Sequence, residues 1–100
     1  MAIALHSYLR CQEGKLFFIQ NEPLDLKDLN QNMGDHQAGA WMTFEGRVRN
    51  QNENKEVLYL EYEAYEELAQ KEAKLIFSEA LKKFQIIDVK GAHRLGRLPI

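Results

Sequence analysis

Cysteine is almost missing from this chain. Cys11 stands alone, so no disulfide can close within one copy and no cysteine-rich zinc site can form. It reads as an incidental free thiol. Long apolar runs are missing too: no stretch approaches the roughly 20 residues that a membrane span needs. The opening Met-Ala-Ile-Ala-Leu-His has no basic region with a long apolar segment behind it, as a secretory leader has. The expectation is a cytoplasmic protein. Excess charge is also lacking, with a formal balance of −2 and a pI near 5.9, which gives no global attraction to nucleic acid or to an anionic membrane. Histidine is scarce, and His36 has no second His or Cys nearby at a metal-ligand spacing, so it reads as a surface residue and no metal site is expected. Any anion site must be local.

What the sequence does contain is ordinary in amount and informative in arrangement. One hundred residues, 45% hydrophobic and 28% charged, suit one domain with a modest core. The stretch that organises it is Gly39 to Asn50, Gly-Ala-Trp-Met-Thr-Phe-Glu-Gly-Arg-Val-Arg-Asn. Ala40, Met42 and Val48 share one parity and Trp41, Thr43, Arg47 and Arg49 the other, which predicts a strand beginning just after Gly39. Gly46 interrupts it, as glycine does where a strand bulges or a ligand comes close. Beyond Gly46, alternation puts Arg47 and Arg49 on one face, two guanidinium forks suited to a phosphate or carboxylate. An edge strand with merely solvated arginines is the alternative, and spacing does not separate the two.

Around this stretch the chain predicts an α+β fold: a mostly antiparallel sheet with one short and one long helix. Apolar runs at Ile3 to Leu9 and Leu16 to Ile19, separated by Gln12-Glu13-Gly14-Lys15, predict a hairpin. Pro23 stops the second run. Asp25 is an N-cap candidate with Leu26, Leu29 and Met33 at helical spacing behind it, and Gly34 is the expected left-handed C-cap. The polar run Asn50 to Glu56 predicts a mobile hairpin loop. Val57 to Ala64 alternates as a half-buried strand antiparallel to the Gly39 strand, with Glu61 and Glu63 on its wet face rather than forming a catalytic pair. From Glu66 the period lengthens. Ala69, Ala73, Ile76, Phe77, Ala80, Leu81 and Phe84 form the buried face of a long helix. Glu66 and Glu67 at its start and Lys82 and Lys83 at its end complement the helix dipole, and Glu67 with Lys71 and Glu79 with Lys83 stand four apart. Ile86 to Ala92 predicts a last strand. The Leu-Pro-Ile ending looks interrupted, since an apolar terminus has little to pack against.

Three segments in order resemble one family, the large (catalytic) subunit of molybdopterin synthase. They are Gly39 to Asn50, the Leu-Tyr-Leu-Glu-Tyr-Glu strand from Leu58 that leads into the long helix, and His-Arg-Leu-Gly-Arg-Leu from His93. The first is the specific one, because Gly-Ala followed by Phe-x-Gly-x-Val-Arg-Asn is that family's signature strand and loop. The resemblance implies an α/β hammerhead-type fold and a cytoplasmic transferase of molybdenum cofactor biosynthesis. Such an enzyme converts cyclic pyranopterin monophosphate to molybdopterin. Its sulfur arrives as a thiocarboxylate on the C-terminal Gly-Gly of a small ubiquitin-like subunit, and large subunits pair as a homodimer. No cofactor, metal, nucleic acid or membrane is implied. By the same resemblance Phe44 lines the site, and Arg47, Val48 and Arg49 form part of the pterin phosphate pocket.

The family's Lys-x-x-x-Pro-x-Trp-Lys type segment, with its catalytic lysines, and its Ser-x-His-Arg segment have no match in these residues. His93-Arg94 corresponds instead to a structural strand end, and Asn54 stands where the family commonly has glycine. The expectation is therefore a chain truncated relative to the family after Ile100. It carries one wall of an active site, no catalytic residue, and no activity alone. A shortened relative that dimerises and binds the pterin without turnover is the rival reading. A structural domain whose arginines are solvated is the third.

Overall fold

The computed structural model describes residues 2–6, 16–31 and 33–100. Cys11 and the expected turn at Gln12 to Lys15 lie outside them. The fold is α+β, with a mostly antiparallel sheet, one short helix and one long one.

The centre is a four-stranded sheet made of β1 (Ala2–His6), β2 (Phe17–Gln20), β3 (Met42–Glu45) and the seven-residue β7 (Asp88–Arg94), in the order β2-β7-β1-β3. β1 is antiparallel to both β3 and β7, while β2 runs parallel to β7. The first two strands therefore exist where expected but do not form a hairpin: β7 inserts between them. A turn signal says that a chain reverses, not which strand it will pair with. β3 is also shorter than its alternation suggests. The ladder stops at Glu45, immediately before Gly46, and residues 46–49 carry no strand geometry.

Two helices cover the two sides of this sheet. Phe17 and Gly91 are register partners, so Phe17 shares a side with Gly91 and Val89, and Ala92 faces the other way. On the first side Phe17 meets Phe77 of α2 (Glu66–Lys83) edge to face, with ring centroids 6.1 Å apart. On the second side Ala92 packs with Leu29 and Met33, flanked by Leu24 and Leu26. These belong to α1 (Leu26–Asn30) and the chain beside it. Asp25 is the N-cap as expected, its carboxylate accepting the Lys27 N–H at 2.8 Å. The helix ends at Asn30 with Gln31 as its cap, not at Gly34. Gly34 has a positive φ of 143° but lies in the link beyond.

α2 matches its expected span to within a residue, yet only part of its expected face is covered. Ala73 and Phe77 are buried and Ala69, Ala80 and Leu81 half-buried, whereas Ile76 and Phe84 are exposed. The reason is the narrowness of the contact: among the described residues α2 packs mainly against β2 and β7, which leaves the edges of its apolar stripe exposed. Leu68 and Leu75 are exposed as well. At the helix start Glu67 accepts a hydrogen bond from the Tyr65 hydroxyl at 3.1 Å.

Outside the sheet lie two ribbons. The polar run is a hairpin, β4 (Gln51–Asn52) with β5 (Lys55–Glu56), turning through Glu53 and Asn54. Both turn residues have positive φ, 50° and 61°, the geometry of the tight hairpin turn that Asn and Gly favour. The second ribbon is β6 (Tyr59–Tyr62) with β8 (Gly96–Pro99). Here two expectations change. β6 is antiparallel to β8 rather than to β3, and all four of its residues are exposed rather than half-buried. β8 itself was hidden behind a Gly and a Pro that read as a chain ending. The backbone explains it: the Leu95 N–H still bonds to the Gln20 carbonyl at 2.8 Å. Gly96, at φ 88°, then swings the chain out of the sheet into the ribbon.

Candidate functional site

Where β2, β3 and β7 end, together with α1 and the ribbon, they enclose a cleft of about 750 Å³. Its floor is apolar, formed by Phe18, Leu24, Leu29, Ala92 and Leu98. Its polar groups come from the strand ends. Glu45, Gly46, Arg47 and Val48 supply one lip as the chain leaves β3, and His93 and Arg94 supply another at the end of β7.

The resemblance assigned Phe44 to the site and Arg47, Val48 and Arg49 to its phosphate pocket, and two of these four residues border the cleft. Arg47 and Val48 line the cleft. Among the described residues the Arg47 guanidinium has no hydrogen-bond or ion-pair partner, so its five donors are available to a ligand. Arg49 is directed elsewhere: its Nη2 donates to Asn52 Oδ1 at 2.6 Å, pinning the foot of the β4–β5 hairpin. Phe44 lies on β3, exposed, and does not border the cleft. The strict alternation that grouped Arg47 with Arg49 fails because the strand ends before either residue.

His93 and Arg94 are the residues that sequence reasoning set aside. Both sit at a strand end, as expected, and both line the cleft. His93 Nδ1 lies 2.8 Å from the Arg94 carbonyl. A carbonyl only accepts, so in this contact Nδ1 carries the proton and donates. The ring is held edge-on against Tyr62 at 4.8 Å. Arg94 donates from Nε to the Asn21 carbonyl at 3.1 Å, which orients the fork, and among the described residues its Nη groups have no partner. The carboxylates of the cleft are Asp25, Asp28 and Glu45, and Asp25 is already committed to capping α1.

Among the described residues no lysine lines the cleft. Lys55, Lys71, Lys74, Lys82 and Lys83 are exposed, and Lys90 donates to the Gln31 carbonyl at 2.9 Å. Glu61, on the ribbon, is paired with Arg97 at 3.1 Å, a surface tie and not one half of a catalytic pair. Among the described residues there is no group of His, Cys, Asp and Glu that could hold a metal ion, and no helix is long and apolar enough to cross a membrane.

Comparison with known proteins bears directly on this cleft. A model of the MoaE protein family matches residues 19–100, a span that includes every described cleft residue but Phe18. The chain is 46% identical over 59 residues to the molybdopterin synthase catalytic subunit of Thermoplasma volcanium, covering 59% of this chain and 43% of that one. To the protein of the same name from Halalkalibacterium halodurans it is 36% identical over 86 residues, covering 86% of this chain and 55% of that one. To the human one it is 35% identical over 79 residues, covering 79% and 42%. The chain thus spans about half the length of these curated relatives. No solved structure matches it.

Proposed function

The chain belongs to the MoaE protein family, and from that premise we propose that it serves as the large subunit of molybdopterin synthase in the cytoplasm. In this reading it holds cyclic pyranopterin monophosphate while sulfur is delivered from the thiocarboxylate of a small ubiquitin-like subunit. The observation that carries the reading is Arg47. Its guanidinium, unpartnered among the described residues, faces a cleft of about 750 Å³ whose floor is apolar. An apolar floor with a few convergent polar groups is the ordinary form of a small-molecule site. A planar pterin suits the floor and its phosphate suits the fork.

What these residues do is bind and orient. Nucleophile activation and proton transfer need a positioned group close to the reacting atoms, and among the described residues the cleft has no lysine for either task. That observation favours the reading of this chain as a binding wall that does not turn over by itself. Homodimer formation and capture of the small subunit are part of the proposal. The test mixes the purified chain with cyclic pyranopterin monophosphate and thiocarboxylated small subunit. The expected outcome is pterin binding by calorimetry with no dithiolene product. Product formed at the rate of a full-length relative would place the catalytic group within these 100 residues.

A further inference from the structure

Arg94 and Arg47 are far apart in sequence and level in the sheet. Ala2 of β1 pairs with Glu45 on one side and with Ala92 on the other, so Glu45, Ala2 and Ala92 form one rung. β3 and β7 are each antiparallel to β1 and therefore run the same way. Arg47 and Arg94 each lie two residues beyond that rung, at the same end of the sheet. With strands spaced about 4.8 Å, their parent strands are roughly 10 Å apart. That gap is too wide for the two arginines to crowd each other, and with Arg94 tied to the Asn21 carbonyl at the end of β2 it is an extended Arg47 that must reach across to share one small anion. Both line the same cleft.

We propose that Arg94 is a second substrate-binding residue, facing Arg47 across the strand ends, and that the two guanidinium groups clamp the phosphate of a phosphorylated pterin. This rests on the pterin-binding reading and adds to it a residue that the sequence reading assigned to a structural strand end. Arg94 is suited to the task because it is already anchored. The bond from Nε to the Asn21 carbonyl fixes the fork before any ligand arrives, so little side-chain freedom remains to be lost on binding. The Nη edge stays available for a bidentate contact. Of the carboxylates in the cleft, Asp25 is committed to the α1 cap through the Lys27 N–H, and Asp28 lies in the first turn of that helix. Glu45, on the rung itself, disfavours an anion sitting deeper in the sheet and so keeps the phosphate at the arginine tips.

The experiment is calorimetric titration of the 100-residue chain with cyclic pyranopterin monophosphate and, separately, with a pterin lacking phosphate. The variants are Arg47→Ala and Arg94→Gln, whose amide can still donate to the Asn21 carbonyl. Arg94→Gln is expected to weaken the phosphorylated ligand by about tenfold to a hundredfold, as loss of a charge-assisted contact does. Binding of the phosphate-free pterin should be unchanged. Arg94→Gln at parental affinity beside a weakened Arg47→Ala overturns the clamp and leaves the pterin-binding reading standing. Equal losses for both ligands also overturn it, because a purely structural role has that signature. Parental affinity in both variants overturns the clamp and takes Arg47 out of the site, and no binding by the parent removes the reading and the clamp together. Should melting show Arg94→Gln unfolded, Arg94→Lys replaces it. One ammonium cannot both hold the Asn21 carbonyl and reach the phosphate as a fork, so parental affinity there overturns the clamp.

Discussion

Val89 in β7 is 2% exposed and Leu60 in β6 is 37% exposed, though each sits in a strand with apolar and polar residues interleaved. The difference is cover. The four-stranded sheet has α2 on one side, through Phe17 and Phe77, and α1 on the other, through Ala92 and Leu29. The β6–β8 ribbon has no such layer among the described residues, and Leu58, Tyr59, Leu60 and Tyr62 are all exposed on or beside it. Alternation therefore reports that one side of a strand is apolar. It does not report what lies against that side, because covering is a property of topology and of neighbours. An apolar surface of this kind, left open by its own chain, is the usual mark of an interaction site.

The sharpest way to break the comparison lies within α2, where adjacent residues fall on either side of the divide. Phe77 is 6% exposed and Ile76 57%. Phe77→Ala removes the edge-to-face contact with Phe17 and leaves a cavity beneath the sheet, at an expected cost of about 3–5 kcal/mol. Ile76→Ala should stay within about 0.5 kcal/mol, as surface substitutions do. Chemical denaturation of the two variants is the measurement. Comparable losses would mean that α2 buries a wider stripe than this packing allows.

The next effect concerns function rather than stability. Arg47→Ala should weaken binding of a phosphorylated pterin by about 1.5–3 kcal/mol, the worth of a hydrogen bond to a charged group, with the melting temperature unchanged. The resemblance alone would rank Arg49 beside it. The bond from Arg49 to Asn52 makes Arg49→Ala the weaker perturbation of binding and the stronger perturbation of the hairpin. Calorimetry on both variants orders them. A smaller still but measurable loss belongs to Asp25→Ala, where the α1 N-cap bond disappears. About 1 kcal/mol is expected from denaturation curves, since α1 is what covers the Ala92 side.

How much of this was legible in the sequence follows the same divide. α2 was readable because its period of 3.6 persists over many turns, and Asp25 because a capping carboxylate acts on the backbone two residues away. Local chemistry writes local signals. The pairing of β1 with β7, across most of the chain, has no local signal, and neither does the insertion of β7 between β1 and β2. The cleft divides likewise. Arg47, which borders the cleft, was singled out through its motif and its position after Gly46. Arg94 was passed over because nothing near it in sequence shows that the register through Ala2 brings it level with Arg47. A family resemblance conveys roles that other members share, and a register conveys which residues are level. The second had to come from coordinates.

The smallest expected effect lies in the uncovered ribbon, at Glu61 and Arg97. They face each other across the β6–β8 ladder as register partners. The Arg97 guanidinium donates through Nε and Nη2 to one carboxylate oxygen, at 3.2 and 3.1 Å, and lies 4.1 Å over the Tyr59 ring. The guanidinium is thus held on two sides, by a carboxylate and by an aromatic ring. The Arg97 and Glu61 side chains are nevertheless 64% and 58% exposed, so water and salt screen the pair and both partners give up rotamer freedom to hold it. Glu61→Gln keeps the shape and removes the charge. The expected loss is about 0.2–1 kcal/mol, shrinking further as salt is raised. A larger loss that persists at high salt would show that Glu61 and Arg97 are shielded in solution by something covering the ribbon. In that event the contrast between a covered sheet and a bare ribbon would hold for the isolated chain only.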